Sequence, residues 1–157
     1  GDAALVHVME RFGIQSTFEQ EGVRIQQTGK RNMSPSLIDC ADFPDIAQSL
    51  AVAAAGLNMP LSLTGLESLR IKETDRIAAL QQELSRFGKQ FVETSKGVFE
   101  LQGHFHPSSS PVKTYDDHRM AMAFAPLSML QDQLQIENPE VVVKSYPEFW
   151  EHLGLLS

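Results

Sequence analysis

The amino-acid sequence predicts a layered α/β (α+β) domain built from two copies of one unit, and three observations predict it. Segments with helical apolar spacing alternate along the chain with short strand-like segments. No glycine-rich phosphate loop links a strand to a helix, so neither a Rossmann nor a P-loop fold is expected. The chain also repeats itself. "RFGIQSTFEQEGVRIQ" at 11–26 resembles "RFGKQFVETSKGVFELQ" at 86–102, with Phe12 and Phe87, and Gly22 and Gly97, both 75 residues apart. "DIAQSLAVAAAGL" from Asp45 resembles "DHRMAMAFAPLSML" from Asp117, offset by 72. Repeats of this length are supersecondary units rather than solenoid turns.

The first unit reads as helix 3–12, closed by Arg11, Phe12 and Gly13, then a hairpin of strands 15–19 and 22–26. Strand 36–40, helix 45–56 and strand 60–64 follow. The alanine-rich helix suits close, nearly complete burial, and Asp45, just after Pro44, stands where a carboxylate caps an N-terminus. In the second unit Ile77, Leu80, Leu84 and Phe87 recur at spacings of three and four, which predicts helix 74–87, and Gly88 stops it. Strands 90–94 and 97–101, the loop "GHFHPSSSP", strand 112–115, helix 118–130 and strand 133–137 complete that unit. A last helix spans 147–153. The chain opens directly into a helix, with Gly1 and Asp2 in the capping position and no strand before it, so it reads as a piece of something longer.

With 42% hydrophobic and 21% charged residues in 157, the chain has enough apolar material for one globular core. A net charge of −7 argues against a nucleic-acid or anionic-membrane partner, so any basic cluster must be local. The single cysteine, Cys40, excludes an internal disulfide framework and suits a reducing cytoplasm, where it reads as a small buried hydrophobe. No apolar run approaches the roughly 20 residues that cross a bilayer, and no basic-then-apolar signal opens the chain. His104 and His106 have a spacing that suggests a metal, but no third ligand is near and a proline- and serine-rich loop accounts for them.

The unusual chemistry lies where helices begin. "LRIKETDRIAAL" puts Lys72 and Glu73 in the connection and Asp75 and Arg76 at the start of helix 74–87. Asp75 suits the positive end of a helix dipole, whereas Arg76 gains nothing from it. "TYDDHRMAMAF" repeats the anomaly: Asp117 is the natural cap and Arg119 is the intruder. In "VVVKSYPEFW", Lys144 ends an apolar β-branched run, as a strand-end lysine would. Each cluster read alone fits a solvated helix end or a snorkelling lysine. Together, Lys72, Arg76, Arg119 and Lys144 supply two guanidinium forks and two point charges, enough for a small ligand carrying a phosphate and a carboxylate. Asp45 and Glu73 are then the candidates for moving protons.

"FPDIAQSLAVAAAG", "LRIKETDRIAAL", "TYDDHRMAMAF" and "VVVKSYPEFW", in this order, resemble the C-terminal part of the EPSP synthase (3-phosphoshikimate 1-carboxyvinyltransferase) family over essentially the whole chain. The resemblance implies an inverse α/β-barrel-like enolpyruvyl transferase domain of three βαβαββ units, of which residues 1–157 hold about two, the partner N-terminal domain being absent. It implies phosphoenolpyruvate and shikimate 3-phosphate as substrates, glyphosate as a possible inhibitor, no cofactor and no metal, and a cytoplasmic enzyme. By resemblance Asp45 takes the proton of the shikimate 5-hydroxyl and Lys72 lies near it. Glu73 is the general acid and base at the methylene carbon. Arg76, Arg119 and Lys144 hold the phosphoenolpyruvate anion. His118 has a supporting role, and Ser68 stands where some members carry an asparagine that touches the shikimate hydroxyls. A UDP-N-acetylglucosamine enolpyruvyl transferase and a non-catalytic anion-binding module are the competing readings.

Overall fold

The computed structural model describes residues 5–155, so the expected cap at Gly1 and Asp2 lies outside the described residues. The chain runs α1 (Leu5–Arg11), β1 (Ile14–Glu19), β2 (Gly22–Gln27), β3 (Leu37–Asp39), α2 (Ala47–Gly56), β4 (Ser62–Thr64) and α3 (Arg76–Arg86). It continues with β5 (Lys89–Ser95), β6 (Val98–Gly103), α4 (His118–Phe124) and α5 (Phe149–Gly154). Short 3-10 turns occupy Pro44–Ile46, Glu67–Ile71, Ala125–Met129 and Pro139–Lys144. Strands β1 and β2 form an antiparallel hairpin, and the other four form an open mixed sheet in the order β3-β4-β6-β5. In that sheet β3 and β4 are parallel, and β6 lies antiparallel to both β4 and β5.

The repeat expected from the sequence is present in the fold. Helix, hairpin and alanine-rich helix recur in the same order, and the parallel pair β3–β4 has its counterpart in a parallel bridge between Val112 and Ile136. In the second unit this pairing stops at one bridge instead of the strands expected at 112–115 and 133–137. Its bonds are Val112 N–H to Gln135 O at 2.9 Å and Glu137 N–H to Val112 O at 2.8 Å. The backbone explains the shortening. Tyr115 and Asp116 are left-handed after Val112, and Gln133 (φ +65°) and Asn138 (φ +47°) bracket Ile136, a conformation no extended ladder accommodates.

Three further boundaries differ from expectation for local reasons. The helix expected over 118–130 is α only to Phe124, because Pro126 has no N–H to continue the ladder and the chain tightens into a 3-10 turn. The run Val141–Val143, read as the end of a strand, is also a 3-10 turn. Pro139 opens it, and Val141 and Val142 bury themselves with Ala121 of α4, so packing overrides β propensity. The helix expected from Asp45 begins at Ala47, and Asp45 makes no cap bond there.

One core joins the layers. Ala47, Ala51, Ala54 and Ala55 of α2 are buried, and their small side chains let α4 approach closely with Met120 and Phe124. From α3, Ile77, Leu80 and Leu84 enter the same core, each contributing about 1.5–3 kcal/mol by burial. Phe87 stacks on Phe105 at 5.6 Å, and Phe91 on Phe99 at 5.3 Å. His104 and His106 gain a packing role, since a Cβ at Gly88 (φ +75°) would lie 2.6 Å from the His104 carbonyl oxygen and 2.7 Å from the His106 ring.

The ends of β3 and β4 deliver the segments that carry Asp45 and Lys72, and they are held together at Gly65. This residue has φ +73°, and a Cβ there would sit 2.4 Å from the Ala41 backbone nitrogen and 2.6 Å from Asp39 Oδ1. Backbone cannot yield as a flexible side chain can. Gly65→Ala is therefore expected to destabilise the protein by about 1–3 kcal/mol or more, read as a lower urea midpoint at unchanged m-value.

Candidate active site

Three segments distant in sequence bring their charges together around Arg76. The side chain is 1% exposed although it opens α3, and its guanidinium points back from the helix into a ring of carboxylates. Nε donates to Asp117 Oδ2 at 2.5 Å, and Nη2 to Asp117 Oδ1 at 3.3 Å. Nη1 donates to Asp45 Oδ1 at 2.8 Å, and Nη2 also to Glu73 Oε2 at 2.6 Å. A buried guanidinium is tolerated only when its donors are satisfied, and here every nitrogen has an anionic acceptor. This explains why an arginine stands at the wrong end of a helix dipole.

Local sequence prepares each participant. Asp75 caps α3, accepting from the Ile77 and Ala78 N–H groups at 3.1 and 3.0 Å, which leaves Arg76 free to turn inward. Asp117 caps α4 through the Arg119 N–H at 2.8 Å while also bonding Arg76, and it is fully buried. The 3-10 turn Pro44–Ile46 swings Asp45 away from the axis of α2 towards the cluster.

Around Asp45 the cations converge. Arg119 Nη2 lies 3.2 Å from Asp45 Oδ2, its Nη1 lies 3.4 Å from the Asp45 carbonyl oxygen, and Lys72 Nζ lies 3.5 Å from Asp45 Oδ1. Burial by itself would raise the Asp45 carboxyl, but Arg119, Lys72 and Arg76 together outweigh it and hold the group below the usual carboxylate range. Beside this group opens a cleft of about 450 Å³ lined by Leu5, Asp42, Phe43, Pro44, Asp45, Ile46 and Arg119.

The expected residues are thus brought together unequally. Asp45, Lys72, Glu73, Arg76 and Arg119 form one contact network. Lys144 joins at its margin, donating to the Asp116 carbonyl oxygen at 2.8 Å. Ser68 lies half-buried in the turn that leads to Lys72. His118 is half-buried at the start of α4, and its buried Nδ1 has no hydrogen-bond partner among the described residues. Arg76, expected to hold the ligand's anion, has all its nitrogens engaged by carboxylates. Asp117 is the participant that sequence reading took for a cap alone. A buried arginine demands more than one counter-charge, and that demand was the available signal.

The network can do two things chemically. Three carboxylates, Asp45, Glu73 and Asp117, meet four cations, Lys72, Arg76, Arg119 and Lys144, so a chain of net charge −7 gathers cations that can meet a small anion beside a cleft whose own charged lining is Asp42, Asp45 and Arg119. It also holds two carboxylates, Asp45 and Glu73, on one guanidinium where both remain partly exposed.

The chain is similar to known proteins over nearly its whole length. The family model described as EPSP synthase (3-phosphoshikimate 1-carboxyvinyltransferase) matches residues 1–153. The 3-phosphoshikimate 1-carboxyvinyltransferase of Bacteroides fragilis is 40% identical over 155 residues, covering 98% of this chain and 38% of that protein. That of Syntrophobacter fumaroxidans is 36% identical over 154 residues, covering 96% of this chain and 35% of that protein. The chain therefore spans well under half the length of these relatives. The solved structure of EPSP synthase from Acinetobacter baumannii shares the fold, with a TM-score of 0.72 over 97% of this chain and 38% of that one at 23% identity.

Two predictions follow from the network. Replacing Arg76 by methionine strands the fully buried Asp117 carboxylate, and is expected to cost about 3–5 kcal/mol in chemical denaturation. Asp45 has a lowered folded-state pKa, so its contribution to stability is complete above the ordinary aspartate value of about 4 and is lost as pH falls through the lower folded value. The stability gap between wild type and Asp45→Asn should accordingly be widest near neutral pH and narrow below about pH 4, measured by urea denaturation across pH.

Proposed function

Because the chain belongs to the EPSP synthase (3-phosphoshikimate 1-carboxyvinyltransferase) family, we propose that the polypeptide carrying it transfers the enolpyruvyl group of phosphoenolpyruvate to the 5-hydroxyl of shikimate 3-phosphate and releases phosphate. The observation that carries this reading is the attachment of Asp45 and Glu73 to the single buried guanidinium of Arg76, beside Lys72 and Arg119. An anion-binding module gains nothing from two partly exposed carboxylates next to its ligand, whereas addition followed by elimination needs one group to relay the hydroxyl proton and another to move a proton on carbon.

In the proposed reaction Arg119, Lys72 and Lys144 draw in the phosphoenolpyruvate anion. Its charge offsets the cations that depress Asp45, which raises the proton affinity of that carboxylate as the 5-hydroxyl attacks. Glu73 protonates the methylene carbon and removes a proton again as phosphate departs. The developing positive centre is stabilised by fixed charges that need not reorganise. Arg76 keeps both carboxylates in place, and it reaches the ligand only by trading the bond to Asp45 or Glu73 for one to the anion. Ser68 and His118 take supporting positions next to Lys72 and Arg119.

Residues 1–157 are, in this proposal, about two of the three repeat units of the C-terminal domain. Closure against a partner domain outside this chain completes the site and excludes water, so the 157-residue chain alone is inactive. Glyphosate would occupy the phosphoenolpyruvate position. A cytoplasmic setting is supported by the single cysteine, which is buried.

The test is phosphate release by the complete polypeptide, given phosphoenolpyruvate with shikimate 3-phosphate or with UDP-N-acetylglucosamine. Release is expected with shikimate 3-phosphate alone, and Glu73→Gln should lower kcat by about 10²–10⁴-fold. Release with the sugar nucleotide instead would move the assignment to the cell-wall type of transferase. No release with either acceptor from folded protein would overturn it in favour of a binding module.

A further inference from the structure

The loop that delivers Asp117 and Arg119 is held in a conformation the chain does not adopt unaided. Tyr115 and Asp116 are consecutive left-handed residues, at φ +54° and +55°, and each carries a Cβ that disfavours that region. Such backbone persists only where its surroundings over-determine it. The constraint comes from Glu83, on the buried side of α3 between Leu80 and Leu84, where the apolar rhythm leaves no need for a charge. Glu83 is completely buried. Its Oε1 accepts from the Tyr115 hydroxyl at 2.7 Å and its Oε2 from the Lys113 N–H at 3.2 Å, while Arg86 Nε lies 3.0 Å from Oε2 but is not aligned to donate. From the outer side, Lys144 bonds the Asp116 carbonyl oxygen at 2.8 Å, and the Asp117 N–H closes the turn on the Thr114 carbonyl oxygen at 2.9 Å. Burial and the Glu83 carboxylate both push the Tyr115 hydroxyl upward, so it remains a donor throughout the neutral range.

A buried carboxylate costs folding free energy unless its lone pairs are satisfied, and this one spends its bonds on the loop. We infer that Glu83 and Tyr115 are positioning residues: by locking the left-handed pair Tyr115–Asp116 they set Asp117 against Arg76 and Arg119 against Asp45, and thereby set the affinity of the cleft for its anionic ligand. Neither residue lines that cleft, and their effect passes through the two residues that follow the loop. This inference rests on the enolpyruvyl-transfer reading for the identity of the anion, and on the geometry alone for the coupling.

The experiment uses the complete polypeptide with Tyr115→Phe, Glu83→Gln and the double variant Tyr115→Phe/Asp116→Gly. Loss of the hydroxyl is expected to raise the KM for phosphoenolpyruvate by about fivefold or more, with the KM for shikimate 3-phosphate within about twofold. Glu83→Gln keeps an acceptor for only one of the two loop donors, the Tyr115 hydroxyl and the Lys113 N–H, and should raise the phosphoenolpyruvate KM as well. Glycine at 116 adopts the left-handed conformation without strain and should restore the phosphoenolpyruvate KM in the double variant. A Tyr115→Phe protein with a lower melting temperature but both KM values unchanged would overturn the inference, since a purely structural bond behaves that way. If Tyr115→Phe does not fold, a double variant that folds with wild-type KM supports the inference and one that also fails to fold overturns it. Should wild type turn over neither acceptor, the functional reading fails separately. Calorimetric affinity for inorganic phosphate then decides, with about fivefold weakening in Tyr115→Phe supporting the positioning role and equal affinity ending it.

Discussion

A guanidinium withdrawn from water needs an acceptor at each of its nitrogens, and Arg76 finds them on three separate pieces of chain. Asp45 comes from the turn after β3, Glu73 from the connection into α3 and Asp117 from the start of α4. Each of those carboxylates would repel the others without the cation between them. The pairing therefore works as a clasp: beside the shared core, it ties these segments of the two repeat units together, with Arg76 neutralising the carboxylates that meet there. Everything else about the site, including the crowding of cations on Asp45 and the cleft beside it, is arranged around that clasp.

The internal repeat gives the clasp its geometry. In each unit an alanine-rich helix opens on an aspartate, and the small side chains of α2 let α4 lie close, so that Asp45 and Asp117 reach the same guanidinium. The two aspartates have nevertheless diverged in use. Asp117 is sealed and caps its helix, which suits a scaffold. Asp45 is released from capping by the 3-10 turn before α2 and stays half-buried among cations, which suits a group that exchanges protons with something in the cleft. The repeat places two carboxylates at equivalent positions, and a difference in backbone at the helix start separates their surroundings.

Strain appears where the site demands direction. The left-handed residues of the described chain other than glycine include Tyr115 and Asp116, immediately before Asp117, and the cost of holding them there is met by a carboxylate buried in α3 and a lysine on the surface. The same helix thus supplies Arg76 from its first turn and Glu83 two turns later, one acting on the carboxylates directly and the other on the loop that carries two of the site's charges. Rigid α3, anchored in the core by Ile77, Leu80 and Leu84, is what makes both contacts reproducible.

What the sequence by itself determined is what neighbours along the chain decide. The i, i+3, i+4 rhythm of Ile77, Leu80, Leu84 and Phe87, the acidic Asp75 at a helix start, the cap at Asp117, the period near 75 residues and the anomalous arginines at two helix starts are all local patterns, and they read through to the fold with boundaries a few residues off. Tertiary structure decided the rest. That Arg76 turns inward to Asp117, 41 residues away, and that Glu83 holds Tyr115, 32 residues away, depends on how separate rigid elements are set against each other, which no short window encodes. For the same reason the β-branched Val141–Val143 became a 3-10 turn and the strands at 112–115 and 133–137 shrank to one bridge. Propensity offers a conformation, while proline, left-handed neighbours and burial against α4 select among the offers.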